Sequence, residues 1–411
     1  MDNVLGMNKK MGSFTGLRFI MIMSIVITHF EFLIELPTIG DFFSTYLHNA
    51  TFAVDFFFLL SGFGMMFGSL NKTPLQDIKK PDILNCLKYG LQHIKKIYPV
   101  YIATIVFSLC GQFVYAIVQS NISLSFFIEQ AIKLLINIPL LQSATGMTTF
   151  THAYNGVTWF LSSLFCIYLI SPLLIFLLRI ISKSIYTDIA ILVLNIAISI
   201  LIIYPFKKLE FKYTMIDILV YGSPYRRVFY VLIGMNLATI FYRIKSSAEC
   251  VSRKTYTYLE SFISIITVIY FLSRNSLHFG NLIYLIDLLL CASFIIIFAF
   301  DKGFISSILN KKTFQDLGNK AMYIFLIHYP IRIYCGWFVE KIWGWTTISS
   351  IIFIIFILVS TFFISDILYK KPKALSLFFN FVKEILCFKP LNFANLNIKA
   401  SRNPEDKSSS K

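Results

Sequence analysis

Long apolar runs alternate along the chain with short, lysine-rich connections, and that alternation sets the expected fold. A helical run of roughly 17 to 25 apolar residues matches the hydrocarbon thickness of a bilayer. Ten such runs lie near 14–35, 50–70, 97–119, 157–181, 186–204, 225–243, 257–273, 281–300, 320–339 and 346–368. A further run, 125–142, carries Glu129 and Lys133 and reaches Pro139, which reads as an amphipathic helix lying at the interface. The prediction is an all-α fold, a polytopic transmembrane helical bundle of about ten spans plus an interfacial helix. Residues 1–370 form its membrane domain and 371–411 a cytoplasmic, partly disordered tail.

Loop charge tests the count of ten. The 36–49 connection holds no Lys or Arg, whereas the next one holds Lys72, Lys79, Lys80, Lys88, Lys95 and Lys96. Lys183, then Lys245, Arg253 and Lys254, then Lys302, Lys311 and Lys312 mark alternate connections after that. Cationic loops stay on the cytoplasmic side, so both termini are expected there, in the cell membrane. Counting 125–142 as a span would invert every later loop. The 205–224 connection, with Lys207, Lys208 and Lys212, breaks the pattern.

Composition agrees: 57% of the residues are hydrophobic and only 14% charged, against about 25% charged in a soluble domain. The net charge of +16 sits between apolar spans, where it meets anionic lipid, so it gives no reason to expect nucleic acid. Seven scattered cysteines show no CxxC or Cys/His ligand spacing, and neither a metal site nor a disulfide framework is expected.

Candidate chemistry lies inside the apolar runs, where an ionisable residue costs a few kcal/mol and is a functional hypothesis by default. Arg18 and His29 are eleven residues apart in the first run, about three helical turns, so they share a face some ~16 Å apart along the axis. Asp55 and Ser61 lie in AVDFFFLLSGF, where Asp55 either complements the helix dipole or belongs to the site. His93 and Lys96, in HIKKIYPVY, fall at the expected start of the third span, and basic groups there make an anion site or simply a positive-inside flank. Asn155 and Trp159 open the NGVTWFLSSLF run, four residues apart, and either line the outer mouth of the bundle or, for Trp159, serve as an interfacial anchor. Arg226 and Arg227, in SPYRRVFYVLIGM, stand at an external helix end, available to an anionic group or a developing charge in the cavity. His328, in LGNKAMYIFLIHYPI, sits within a span and either bonds a neighbouring helix or belongs to the site.

Taken in order, these stretches resemble the acyltransferase-3 family of integral membrane acyltransferases, and the resemblance runs nearly to residue 370. It implies transfer of an acyl group, usually acetyl, from cytosolic acyl-CoA to a sugar hydroxyl of a surface or lipid-linked glycan. It puts the family's essential histidine on His29 and its motif arginine on Arg18. One departure is clear: the family commonly has Arg-x-x-Arg before the Ile-Tyr-Pro run, where this chain has His93 and Lys96. The partners implied are acyl-CoA as donor substrate, a glycan acceptor and membrane lipid, with no permanently bound cofactor. A fused esterase-like domain, present in some members, is not expected in 411 residues. Neutral imidazole is the form that accepts a hydroxyl proton, so His29 is expected to act as general base or as a transient acyl carrier. The alternative from another class is a proton-coupled sugar-lipid transporter with Arg18 and His29 as its relay.

Overall fold

The computed structural model describes residues 11–72, 79–202, 221–277, 279–280 and 282–370. Its longer helices are α1 (Gly12–Thr28), α2 (Thr51–Lys72), α3 (Ile83–Ile94), α4 (Tyr98–Val118), α5 (Leu124–Asn137), α6 (Trp159–Ile181), α7 (Ile185–Leu201), α8 (Pro224–Ile244), α9 (Arg253–Ser273), α10 (Leu282–Ala299), α11 (Lys312–Ile342) and α12 (Thr347–Lys370). There is no strand among the described residues. Each of the ten apolar runs contributes a helix among the described residues, the first only as far as Thr28. Among the described residues, seven helical stretches are long and apolar enough to cross a membrane, and α1 and α7 are apolar but shorter. The chain is a polytopic all-α membrane protein. Lys207, Lys208 and Lys212 lie outside the described residues, as does 371–411.

The centre of the bundle is the α2–α8 pair, the most extensive helix contact in the fold. Two glycines make it close. A Cβ on Gly62 would fall 2.0 Å from the Val231 carbonyl oxygen, and one on Gly234 would fall 1.9 Å from that of Leu59. With no hydrophobic drive between helices in lipid, such backbone proximity and its van der Waals contact supply the association. Around this pair α7 packs on α8, α10 on α2, α1 on α11, and α3 on α6. α12 is peripheral and leaves Ile352, Ile355, Val359 and Phe363 exposed, as a lipid-facing helix should.

α5 fits its expectation. Leu124, Phe127, Ile128, Ile132 and Leu135 are exposed, while Gln130 and Asn137 are buried. Tyr154 and Tyr101 donate to the backbone carbonyls of those two residues, at 3.0 and 2.6 Å. The helix thus turns its apolar stripe outward and its polar side to the protein.

Two expectations are corrected. The first run is not one helix over 14–35. α1 stops at Thr28, and Glu31–Glu35 is a 3-10 turn. In a continuous helix Leu33 N–H would donate to the His29 carbonyl, but it donates to Phe30 O at 2.9 Å. The Arg332 Nε takes the freed His29 carbonyl at 3.0 Å, so a tertiary partner ends the helix where the sequence has no breaker. His93 and Lys96 likewise do not share a helix start. His93 is in the last turn of α3, which ends at Ile94, and α4 begins at Tyr98 with Pro99 in its first turn. Pro99 has no N–H to offer the Lys95 carbonyl one turn back, which interrupts the helical ladder between the two helices.

Candidate active site

Ending α1 at Thr28 puts His29 at the helix terminus, facing α11. There His29 Nδ1 lies 3.2 Å from His328 Nε2. The bond network sets the tautomers. His328 Nδ1 is 3.1 Å from the Ile324 carbonyl, which can only accept, so that nitrogen carries the proton. In the neutral ring Nε2 is then an acceptor, and His29 Nδ1–H donates to it. The lone pair of His29 is left on Nε2. This is the arrangement that orients one imidazole as a base through its other nitrogen. Tyr329 packs edge-on against the His29 ring, centroids 5.1 Å apart, and holds it from the side.

Proline placement supports the second histidine. Pro330 lies inside α11 and has no N–H for the Leu326 carbonyl one turn back. Asn155 Nδ2 supplies that bond at 2.8 Å and also donates to Thr104 Oγ1 at 3.2 Å. Asn155 is therefore fully buried glue that repairs the α11 backbone beside His328, rather than the lining of an outer mouth. Trp159 is buried and borders the His29 cavity.

The other end of the dyad is held by charge. Arg332 Nη2 donates to Glu31 Oε2 at 2.8 Å while its Nε holds the His29 carbonyl. His48 Nε2 is 3.8 Å from the other Glu31 oxygen. Burial acts to raise the Glu31 carboxyl, but the His48 ring and the Arg332 guanidinium keep it below the ordinary carboxylate range. It is thus a carboxylate anchoring Arg332.

Two cavities lie at opposite ends of α2. The first, about 420 Å³, is bordered by Thr51 and Val54 of α2 and by His29, His48, His152 and Arg274. The second, about 730 Å³, is bordered by Gly68 and Lys72 of α2 and by Arg18, Lys79, His93 and Ser61. Ile22, Phe57, Phe160 and Met322 border both, so a thin apolar septum divides them. Arg18, Ile22 and His29 succeed one another on α1, the first in one cavity, the second in the septum and the third in the other. Among the described residues bordering the Arg18 cavity are Arg18, Lys72 and Lys79 but no Asp or Glu.

Other expected residues fall elsewhere. Asp55, Arg226 and Arg227 border neither cavity, so neither cavity brings an anionic group or developing charge to the two arginines or a substrate to Asp55. Arg227 Nη1 meets Asp55 Oδ1 at 2.5 Å with both side chains buried, and its Nε donates to the Tyr221 carbonyl at 2.7 Å. Arg226 Nη2 donates to Tyr230 Oη at 2.5 Å, and its guanidinium stacks 4.8 Å from the Tyr284 ring. A second buried pair, Arg274–Asp287, is bidentate at 3.0 and 2.7 Å. These pairs hold α2 to α8 and α9 to α10. Lys96 is exposed and outside both cavities. His93 lies between the Tyr89 and Tyr168 rings, at 4.1 and 4.7 Å. Ser61 donates to the Phe57 carbonyl at 2.7 Å.

Sequence reasoning missed Arg332, Glu31, His48 and His152. Arg332 had a signal: it follows His328 by one helical turn inside an apolar run and stands one residue past the stretch singled out there. His48 and His152 lie in short connections with no motif around them. Burial lowers the His152 ring below its ordinary pKa, against the raising effect of its bond to the Gly156 carbonyl at 3.2 Å, so it is neutral. No group of three His, Cys, Asp or Glu among the described residues is placed to hold a metal ion.

The fold is thus a helical membrane bundle in which His29, paired with the buried His328, borders an internal cavity. The model of the acyltransferase domain family Acyl_transf_3 matches residues 11–370, and the chain belongs to that family. Comparison with curated proteins and with solved structures gave no match. The protein is a membrane acyltransferase, and family membership replaces the transporter reading.

Proposed function

We propose that the protein moves an acetyl group from acetyl-CoA to a hydroxyl of a surface or lipid-linked glycan, in the cell membrane, with both termini cytoplasmic. One observation carries the reading: His29, its Nδ1 engaged to His328 Nε2, borders a cavity that shares Ile22, Phe57, Phe160 and Met322 with the cavity bordered by Arg18, Lys72 and Lys79. Coenzyme A is polyanionic and would bind the cavity bordered by Arg18, Lys72 and Lys79, its thioester arm passing between Phe57 and Met322 toward His29.

In direct transfer, His29 Nε2 takes the hydroxyl proton as the oxygen attacks the thioester carbonyl. The carbon–sulfur bond then breaks and the coenzyme A thiolate leaves, to be protonated by the imidazolium or by water. With an acyl-histidine, Nε2 itself attacks the carbonyl, the carbon–sulfur bond breaks and coenzyme A leaves as its thiolate; the sugar oxygen then takes the acyl group as the carbon–nitrogen bond breaks, and its proton passes to the thiolate directly or through the freed Nε2. In both routes Nε2 is the working atom and His328 holds its ring.

The test is His29→Ala in membranes supplied with labelled acetyl-CoA, at matched protein abundance. Acyl transfer to glycan should fall about 10²- to 10⁴-fold. Wild-type transfer by the variant overturns the assignment. Label retained on the wild-type protein after a rapid quench in denaturing detergent at neutral pH, and absent from His29→Ala, identifies the acyl-histidine route.

A further inference from the structure

A third cavity, about 850 Å³, lies between the ends of α4 and α11 and the Glu31–Glu35 turn. It is larger than the other two, and the chemistry above makes no use of it. Glu31 borders both this groove and the His29 cavity, and Arg332, whose Nε holds the His29 carbonyl, borders the groove. The Glu31–Arg332 pair is therefore the partition between the groove and the site of chemistry. The three cavities run in series, joined by the apolar septum on one side and this ion pair on the other.

Their charges differ in sign. The Arg18 cavity is cationic, with no carboxylate among its described bordering residues. The groove carries Glu31, Glu35 and Glu340 against Arg332 alone, and its broad surfaces are Trp337, Trp345 and Tyr115. Trp345 stacks on Phe32 at 4.5 Å between centroids, and Trp337 meets Tyr115 edge-on at 5.5 Å, so the aromatic planes are fixed in advance. Flat aromatic faces beside carboxylate acceptors match a sugar ring, whose C–H face is apolar and whose rim donates hydrogen bonds from hydroxyls. The excess of carboxylate opposes phosphate, uronate and the headgroups of anionic lipids.

The geometry points to this groove as the binding site for the acceptor, an uncharged glycan chain whose reactive end passes the Glu31–Arg332 partition to reach His29. This deepens the glycan reading and rests on it. Donor and acceptor then enter from cavities of opposite charge, and the polyanionic donor is kept out of the acceptor's route.

The experiment uses the full chain in lipid nanodiscs, labelled acetyl-CoA, and glycans extracted from the native cell envelope and separated by anion exchange into neutral and acidic pools. Label should enter the neutral pool. Trp337→Ala, and independently the exposed, near-isosteric Glu340→Gln, should each raise the half-saturating glycan concentration about tenfold while that for acetyl-CoA moves less than twofold. Label confined to the acidic pool overturns the proposal. So does wild-type glycan saturation in Glu340→Gln together with a Trp337→Ala variant that is wild-type, unfolded, or weakened toward both substrates alike. If the wild-type protein labels no glycan in either pool, the glycan reading itself falls and takes the groove with it. If it labels neutral glycan and the variants do not discriminate, only the groove falls.

Discussion

The His29–His328 pair and the Asp55–Arg227 pair look alike in the sequence: polar residues inside apolar helices, far apart in the chain and brought together by the fold. Their surroundings differ. His29 borders a cavity and, with its Nδ1 engaged to the buried His328, keeps its other nitrogen lone pair unspent. The ion pair is sealed among Phe58, Trp159, Tyr221 and Tyr230, the arginine carbon 4.7 to 5.9 Å from each ring centroid. Asp55 Oδ2 and Arg227 Nη2 have no hydrogen-bond partner among the described residues, yet neither residue borders any of the three cavities. The comparison teaches that an intramembrane charge marks function only where empty space adjoins it. Where it does not, the charge fastens helices.

Breaking each pair should therefore fail in a different way. The largest expected effect is on Asp55→Ala, which leaves the Arg227 guanidinium buried without its counter-charge. About 3 to 5 kcal/mol of stability should be lost, seen as a large drop in folded protein by thermal-shift or size-exclusion measurement in detergent. A stable, monodisperse Asp55→Ala protein lacking activity would make the pair catalytic and reverse the comparison. Next, His328→Phe should leave folded protein near wild-type amounts while lowering kcat about 10- to 100-fold, because His29 loses the acceptor that fixes its tautomer. Loss of folded protein instead would put His328 with the ion pairs. The smallest effect belongs to Arg18→Gln, which should raise the KM for acetyl-CoA about tenfold with kcat changed less, measured by release of the coenzyme A thiol. A fall in kcat alone would move Arg18 from donor binding to stabilising charge in the transition state.

The helices were legible because hydrocarbon thickness imposes a length and an apolar composition that few other folds share, and α2, α4, α8 and α10 keep within a residue or two of the expected bounds. Asp55 and Arg227 were legible as unusual residues but not as a pair, since they are 172 positions apart and nothing local relates them. The end of α1 was hidden for the same reason: Arg332, on another helix, takes the His29 carbonyl. His93 and Lys96 misled because a run of basic residues before Pro99 conceals a helix end and a helix start. Asn155 was noticed, but its task follows only from the gap that Pro330 leaves in a helix far along the chain.

The septum of Ile22, Phe57, Phe160 and Met322 has an electrical consequence. Water filling both cavities would narrow the low-dielectric path to that layer of side chains, and a membrane voltage would then fall mainly across it. Moving one elementary charge through the whole of a 100 mV drop is worth about 2.3 kcal/mol. On the proposed chemistry, a coenzyme A thiolate released beside the septum would form in the steepest part of that field. Turnover would then follow the membrane potential, with four apolar side chains as the insulation between the two cavities.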